Sequence, residues 1–289
     1  MLLAMQLFQP QLWGFTGLSA SGVGMLHQDL GELTGPVLAF GGPYSNLQAL
    51  QALMNWAAGQ GVSAQNMICT GDIVAYCADA TETTALMQQT DIPTIAGNCE
   101  KQIAEGADDC GCGFEEGSQC SILSRGWYPY ALTQISEVDR RMMGELPDII
   151  SFTHQGLRYA VIHGGYTDIR RSIWSTSSDS DFNEEITEIE NAIGPVDSII
   201  AGHSGIPFIR KVGGKTWINA GAIGMPPNNG DFHTRFVLID QRPEIHTLDY
   251  DWRGAQSAMR TAGLTQGYDA ALETGYWPSE DVLPTALRR

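Results

Sequence analysis

The sequence predicts an α/β fold in which two β-sheets pack together with helices on the outside. Short apolar runs alternate with helix-like segments between residues 37 and 100, which is the pattern of parallel βαβ units. The second half of the chain is also rich in β-strand patterns, which indicates a second sheet. At 289 residues the chain is long enough for one large domain with a substantial core.

The first half supplies the βαβ elements. The run VLAF reads as a buried strand, and apolar residues at helical spacing follow it, with Ser45 or Asn46 as the helix cap. Strands are predicted over 37–40, 66–70 and 93–97, and helices over 81–90 and from about residue 100. Because parallel strands end at one edge of a sheet, we expect the functional loops at that edge.

The second half begins with a loop over 106–120 that is rich in Gly, Cys and acidic residues, and a helix is predicted over 133–145. DIISF and LRYAVIH read as a pair of strands. Asp181 and Glu184 form a capping-box-like start to a helix that Gly194 and Pro195 end. The remaining predicted strands are DSIIAG, FIRKV, KTWIN and RFVLID.

The chain divides into three parts. Residues 1–35 are interpreted as an N-terminal extension, 36–250 as the main domain, and 251–289 as a helical appendage that packs on the same domain.

The composition narrows the class of partner. Lys and Arg number 16 and Asp and Glu number 33, giving a formal net charge of -17. A chain this acidic repels nucleic acid and anionic membranes, so neither is expected as the main partner. No apolar run approaches the roughly 20 residues that span a bilayer, and the apolar start MLLAMQLF lacks a positive region. We expect a cytoplasmic protein.

Polar residues of metal-binding type follow four of the apolar strands. Asp72 stands in GDIV, Asn98 in GNCE, His163 in HGG and His203 in GHSG. Each lies beside glycine, which allows backbone and ligand to approach closely. One carboxylate, one amide oxygen and two imidazoles make a mixed nitrogen and oxygen site for Mn, Fe, Zn or Ni.

The order and spacing of these motifs resemble the calcineurin-like metallophosphoesterase superfamily, especially its compact bacterial and archaeal phosphodiesterase branch. The family pattern runs Asp-x-His, Gly-Asp, Gly-Asn-His/Cys-Asp/Glu, His-Gly and Gly-His-x-His, and the resemblance covers about residues 36–245. The resemblance implies a four-layer αββα sandwich of two mixed β-sheets flanked by helices, with a two-metal site at the sheet edges.

The resemblance also assigns roles to residues. Asp72 corresponds to the metal-bridging carboxylate, and Asn98, His163 and His203 correspond to the other ligands of one metal. Cys99 stands where many members have the His that steadies the phosphoryl transition state, and Glu100 stands at the acidic position that orients this group.

Three positions depart from the family pattern. GPYSNL aligns with the first motif, so Gly42 replaces its Asp and Tyr44 its His, and Gly205 replaces the second His of the last motif. These losses remove the ligands that bind only one of the two metals, and they leave the complete ligand set of the other metal. We therefore expect one divalent transition metal ion and no second one. The Tyr44 side chain has two interpretations: it packs beside the strand end, or its phenolate is a ligand to ferric iron.

The resemblance implies a phosphoesterase that hydrolyses a phosphomonoester or phosphodiester with a metal-activated water, acting on a phosphorylated small molecule. The alternative is a catalytically weakened relative that binds a phosphorylated ligand or partner as a sensor or scaffold.

Further candidate residues lie outside these motifs. Arg170, Arg171, Trp174 and Asn228 are candidates for substrate binding through charge, stacking or hydrogen bonds. Thiols at Cys110, Cys112 and Cys120, with Cys99 nearby in sequence, are candidates for a structural zinc site, against the alternative of packed thiols in an ordered loop.

Overall fold

Two mixed β-sheets pack face to face, and helices cover both outer faces, in the computed structural model of the protein. The structure describes residues 25–289 except 113–116 and 118, and for 120 and 121 it describes the backbone alone. This arrangement confirms the predicted four-layer αββα sandwich.

The described part of the chain contains ten strands and eight α-helices. The strands are β1 His27–Glu32, β2 Val37–Phe40, β3 Met67–Cys69, β4 Ile149–His154, β5 Leu157–Val161, β6 Ser198–Ala201, β7 Phe208–Val212, β8 Lys215–Asn219, β9 Thr234–Ile239 and β10 Pro243–Leu248. The helices are α1 Leu47–Gly59, α2 Ala80–Thr90, α3 Asn98–Glu105, α4 Gln119–Gln134, α5 Glu137–Gly144, α6 Asp179–Ile193, α7 Trp252–Thr261 and α8 Tyr268–Thr274.

The larger sheet has the order β1-β4-β5-β6-β8-β7, and the smaller sheet has the order β10-β9-β2-β3. Strands β5, β6 and β8 run parallel to one another, as do β2 and β3. The ends of these parallel strands lead into the loops that carry the predicted site residues.

Three apolar layers hold the sandwich together. The layer between the sheets is built from side chains such as Ile68, Phe152 and Val237. A second layer, with Leu50 at its centre, joins the smaller sheet to α1, α4, α7 and α8. A third layer, around Phe182 of α6, covers the larger sheet. Nonpolar burial on both faces of each sheet explains why the central strands read as continuous apolar runs.

Some predicted elements differ from the observed ones. Residues 93–97 form a single bridge to Cys69, at Thr94, rather than a full strand; Pro93 has no N–H to donate to a ladder. Helix α4 begins inside the region predicted as a loop, and it contains Pro129, a residue type that disfavours the interior of a helix.

The start of α6 also differs from the prediction. Ser178 caps the helix by accepting a hydrogen bond from the Asp181 N–H, and the Asp181 carboxylate accepts one from the Ser178 N–H. Asp181 is therefore the third residue of the helix rather than its cap, so the capping box lies three residues earlier than expected.

The part of the predicted N-terminal extension that the structure describes contains a strand. Strand β1 pairs in parallel with β4 at the edge of the larger sheet, so the fold begins before residue 36. Residues 1–24 lie outside the described residues. Helices α7 and α8 follow the last strand; α7 packs beside α1, and α8 packs on α7. No helix in the described ranges has the length and apolar character needed to cross a membrane.

Asn46, rather than Ser45, caps α1 and also ties it to a distant loop. Its side-chain oxygen accepts from the Ala49 N–H at 3.0 Å, and its side-chain nitrogen donates to the Gly224 carbonyl at 3.0 Å. The residue is fully buried. This one side chain thus links the loop between β2 and α1 to the loop after β8.

We expect Asn46→Ala to lower the free energy of unfolding by about 3 kcal/mol, since it removes a cap worth about 1 kcal/mol and leaves a buried carbonyl without its donor. Ser136→Ala is the matched control, because Ser136 caps the exposed start of α5 and should cost only about 1 kcal/mol. Urea unfolding measures both. Equal losses in the two variants would contradict the second role of Asn46.

Candidate metal centre

Four loops at strand ends bring their polar side chains to one point. The Nε2 atom of His163 lies 3.0 Å from Asn98 Oδ1, 3.1 Å from His203 Nδ1 and 3.3 Å from Asp72 Oδ2. Ligand atoms of Asp72, His163 and His203 all lie within 4.8 Å of one another. The structure therefore brings together the four residues that the sequence predicted as metal ligands.

His163 presents a bare nitrogen to this cluster when its ring is neutral. Its Nδ1 atom lies 2.6 Å from the Thr70 carbonyl oxygen. Because a carbonyl oxygen only accepts, Nδ1 carries the proton and Nε2 is the acceptor. A backbone partner of this kind is typical of a metal-binding histidine.

The chemistry of the ligand atoms in this cluster fits a bound cation. A neutral His163 Nε2, the Asn98 oxygen and the Asp72 carboxylate are all acceptors, and no proton lies between acceptors. Such a group needs a positive charge at its centre, supplied by a proton on Nε2 or by a metal ion. One carboxylate, one amide oxygen and two imidazoles suit a divalent transition metal.

The pKa shifts express the same attraction for positive charge. Burial raises the pKa of Asp72, but His163 more than offsets this and holds it below the ordinary value. Burial alone lowers the pKa of His163, and the Asp72 carboxylate raises it above the ordinary value. Burial and the charge of His163 lower the pKa of His203 to about 4, so its ring is neutral near pH 7.

Asp72 is held in a strained conformation by its neighbours. Its φ is +56°, a left-handed value that a non-glycine residue adopts only when the surroundings enforce it. Its Oδ1 accepts from the Cys99 N–H at 3.3 Å, which leaves Oδ2 toward His163. A side chain at Gly97 would put its Cβ 2.3 Å from Asp72 Oδ1, so glycine is required there.

Glu100 clamps the loop that carries Asp72. Its fully buried carboxylate accepts from the N–H groups of Asp72, Ile73 and Gly97 at 2.8 Å each. Burial and the nearby Asp72 charge raise the pKa of Glu100 to about 7, against the opposing effect of these amides. Glu100 therefore positions the ligand loops and does not face the cluster.

The three positions that depart from the family pattern lie together. A Cβ built on Gly42 would be 2.4 Å from Cζ of Tyr44, so the phenol ring occupies the space of a side chain at position 42. A Cβ on Gly205 would be 3.8 Å from the Tyr44 hydroxyl oxygen. Burial and then the Asp72 charge raise the pKa of Tyr44, which keeps the phenol protonated.

The cysteines lie beside the cluster. Asn98 donates its side-chain N–H to the Cys110 carbonyl at 2.8 Å and to Cys112 Sγ at 3.2 Å, which orients its oxygen toward His163. The sulfurs of Cys110 and Cys112 are 2.8 Å apart. Cys99 is buried, and a hydrogen bond with Cys112 lowers its pKa while burial raises it, with a net rise. The side chain of Cys120 lies outside the described residues.

A cavity of about 360 Å³ opens onto the centre. Asp72 and His203 belong to its wall, together with Tyr44 and Cys112. Much of the remaining wall is aromatic or apolar: Tyr76, Trp174, Met225, Tyr268, Trp277 and Val282. The size and lining are those of a small-molecule site.

The candidate substrate-binding residues separate into two groups. Arg170 and Trp174 line the cavity. Arg171 instead forms ion pairs with Asp181, Glu184 and Glu185, at the base of α6.

Asn228 acts on the C-terminal segment. Its oxygen accepts from the Trp277 N–H and its side-chain nitrogen donates to Glu280, both at 2.8 Å. Asn228 thus holds Trp277 in the cavity wall and does not line the cavity itself.

Sequence reasoning missed three residues that shape the site: Thr70, Glu185 and Trp277. The buried Glu185 accepts from the backbone N–H groups of Tyr166 and Thr167, and so fixes the loop after His163. Glu185 could have been found from the sequence, because it is an acidic residue on the apolar face of a predicted helix. No local signal marks Thr70, whose role lies in its backbone carbonyl.

Comparison with known proteins finds a matching family model and a relative of similar length. The sequence model of the calcineurin-like phosphoesterase superfamily domain matches residues 45–242. The uncharacterized protein MJ0912 of Methanocaldococcus jannaschii is 24% identical over 234 residues, which cover 73% of this chain and 86% of that protein.

Two solved structures share the fold. A metallophosphoesterase from Sphaerobacter thermophilus superposes with a TM-score of 0.61 at 20% identity, over 84% of this chain and 100% of that one. The hypothetical protein PH1004 from Pyrococcus horikoshii OT3 gives a TM-score of 0.67 at 15% identity, over 84% of this chain and 98% of that one.

We expect Glu100→Gln to lower the free energy of unfolding by about 3 kcal/mol, because the new amide places a donor against buried N–H groups that need an acceptor. Glu105→Gln, on the exposed end of the same helix, should change it by less than about 0.5 kcal/mol. Urea unfolding of both variants measures the difference. A Glu100→Gln variant as stable as the wild type would contradict the clamp.

Proposed function

The chain belongs to the calcineurin-like phosphoesterase superfamily, whose model matches well over half of it, and from this premise we propose that it hydrolyses phosphoesters at a centre holding one divalent metal ion. Membership of this family implies the use of divalent metals. The ligands of the proposed ion are Asp72, Asn98, His163 and His203, whose donor atoms converge.

The packing of Tyr44 against Gly42 carries the proposal of a single ion. By the resemblance, positions 42, 44 and 205 would hold the second ion. Here two of them have no side chain, and the Tyr44 ring lies across the space between them. A neutral phenol in that volume leaves Asp72 as the one remaining ligand on that side. A single carboxylate does not bind a divalent ion tightly.

A bound divalent cation supplies charge stabilisation for the phosphoryl group and an activated water. The protein's own residues prepare the place for it. Thr70 fixes the tautomer of His163, and Glu100 fixes the backbone of Asp72. The carbonyl of Cys110 fixes the orientation of Asn98. Pre-organised ligands of this kind require no rearrangement during the reaction.

The cavity supports a small phosphorylated substrate. Its volume of about 360 Å³ is at the lower end of the range for small-molecule sites. Arg170 contributes a positive charge at the wall, although Asp168 also binds it through two hydrogen bonds of 3.0 Å. Trp174 offers an apolar ring beside it. We therefore assign Arg170 and Trp174 to substrate binding and leave Arg171 out of that role.

We expect protein saturated with Mn²⁺ and desalted to retain one ion per chain, measured by inductively coupled plasma mass spectrometry. It should hydrolyse bis(p-nitrophenyl) phosphate or p-nitrophenyl phosphate, and chelation should stop the reaction. Asp72→Asn and His203→Ala should each lose the ion and more than about 100-fold of the activity.

The matched control is His246→Ala, since His246 lies on β10, far along the chain from the four ligand loops and outside the cavity wall. It should keep both metal and activity. Turnover that survives in Asp72→Asn and His203→Ala would contradict the proposed site. Metal binding and phosphate binding without turnover would favour the sensor or scaffold.

A further inference from the structure

Tyr44 combines three properties that packing alone does not explain: a strained backbone, a buried ring and a hydroxyl directed into the cavity. The residue is 6% exposed, and it lines the same cavity as Asp72 and His203. Its position in the volume of the missing ligands raises the question of what its hydroxyl does there.

The backbone at Tyr44 is held in place at a cost. Tyr44 and Ser45 have φ values of +52° and +56°, which are unfavourable for residues with a Cβ. The Tyr44 N–H donates to the Asp72 carbonyl at 3.2 Å, and its own carbonyl accepts from the Cys77 N–H at 3.1 Å. Strain that the surroundings enforce is characteristic of functional loops.

The ring is aimed by its contacts. It lies over Gly42, and its edge meets the ring of Tyr76, with centroids 4.8 Å apart and an interplanar angle of 71°. The hydroxyl oxygen reaches the side of Gly205, two residues after His203. A side chain at position 42 would displace the ring, whereas a Cβ at position 205 would be in ordinary contact with the hydroxyl oxygen.

The hydroxyl has no hydrogen-bond partner among the residues that the structure describes. By contrast, the buried Tyr128 donates its hydroxyl to the Ala107 carbonyl at 3.3 Å, and the half-buried Tyr130 donates to the Ala78 carbonyl at 3.2 Å. The Tyr44 residue lines the cavity, so its hydroxyl is available to a ligand there. A phenol O–H can donate to a ligand that offers an acceptor.

We propose that the Tyr44 hydroxyl donates a hydrogen bond to a phosphoryl oxygen of the substrate, in the place where a second cation would otherwise stabilise that oxygen. This role rests on the proposed phosphoesterase function with one metal ion. A phenol is protonated at neutral pH and is then a neutral donor. Tyr44 is thus assigned as a catalytic residue that touches the substrate.

The direct test compares Tyr44→Phe with Tyr250→Phe in the metal-loaded protein. Tyr250 is also buried, and it lies outside the cavity wall. Isothermal titration with inorganic phosphate and kinetics with bis(p-nitrophenyl) phosphate are measured for each, together with metal content. Tyr44→Phe should keep one ion per chain and weaken phosphate binding about 10-fold, the effect of a lost hydrogen bond to a charged group. Its kcat/KM should fall by at least as much.

Tyr250→Phe should stay within about twofold of the wild type. Unchanged phosphate binding in Tyr44→Phe, or equal losses in both variants, would overturn the role of Tyr44. A protein with 3-fluorotyrosine at position 44 keeps the ring and the hydroxyl, and it should bind phosphate at least as tightly as the wild type. A loss in that protein equal to the loss in Tyr44→Phe would assign the effect to packing and would likewise overturn the proposal.

The metal content separates this inference from the proposed function. Two tightly bound ions per wild-type chain would contradict the single-metal centre and the role of Tyr44 together. One ion per chain, with phosphate binding unaffected by Tyr44→Phe, would contradict the role of Tyr44 alone.

Discussion

The convergence of acceptor atoms on His163 Nε2 is the interaction on which the site depends. An amide oxygen, an imidazole and a carboxylate approach this nitrogen within 3.3 Å in a buried setting. In a medium of low dielectric, a positive charge between the carboxylate and the other acceptor atoms stabilises this arrangement. The elements around the centre hold these atoms in place. Strand ends deliver the ligands, buried carboxylates fix the loops, and left-handed φ values at Asp72 and His203 turn the side chains inward.

Positions 42, 44 and 205, where the family pattern has the ligands of a second metal, are built differently. Where the family pattern has charged and imidazole ligands, this chain has two glycines and a tyrosine whose ring fills the space between them. Loss of a ligand at random would leave a polar void, which is unstable unless water fills it. Here the substitutions are mutually consistent: Gly42 makes room for the ring, and Gly205 lies beside the hydroxyl. We interpret the three positions as one unit that replaces a cation with a hydrogen-bond donor.

The sequence predicted the layers and the four candidate ligands that the structure brings together, because both leave local signals. Apolar runs followed by Gly-Asp, Gly-Asn, His-Gly and Gly-His mark where strands end and ligands begin. The helix α4 was missed because Gly126 and Pro129 argue for a break, whereas burial of Trp127 and Tyr128 in the core overrides that preference.

Supporting contacts between distant parts of the chain leave no local pattern. The bond from His163 to the Thr70 carbonyl, the loop clamp of Glu185 and the attachment of Trp277 by Asn228 depend on tertiary geometry alone. Arg171 shows the converse. Its basic side chain next to an aromatic position suggested a substrate contact, but three carboxylates at the base of α6 bind it instead.

We propose that the site binds one cation and that Tyr44 occupies the second position. Anomalous diffraction from a crystal soaked in Mn²⁺ locates each ion and the tyrosine ring in the same map. We expect one peak, bounded by Asp72, Asn98, His163 and His203, with the Tyr44 ring still over Gly42. A second peak about 3.5–4 Å from the first, as in two-metal sites, with Tyr44 displaced to admit it, would contradict a single-cation centre.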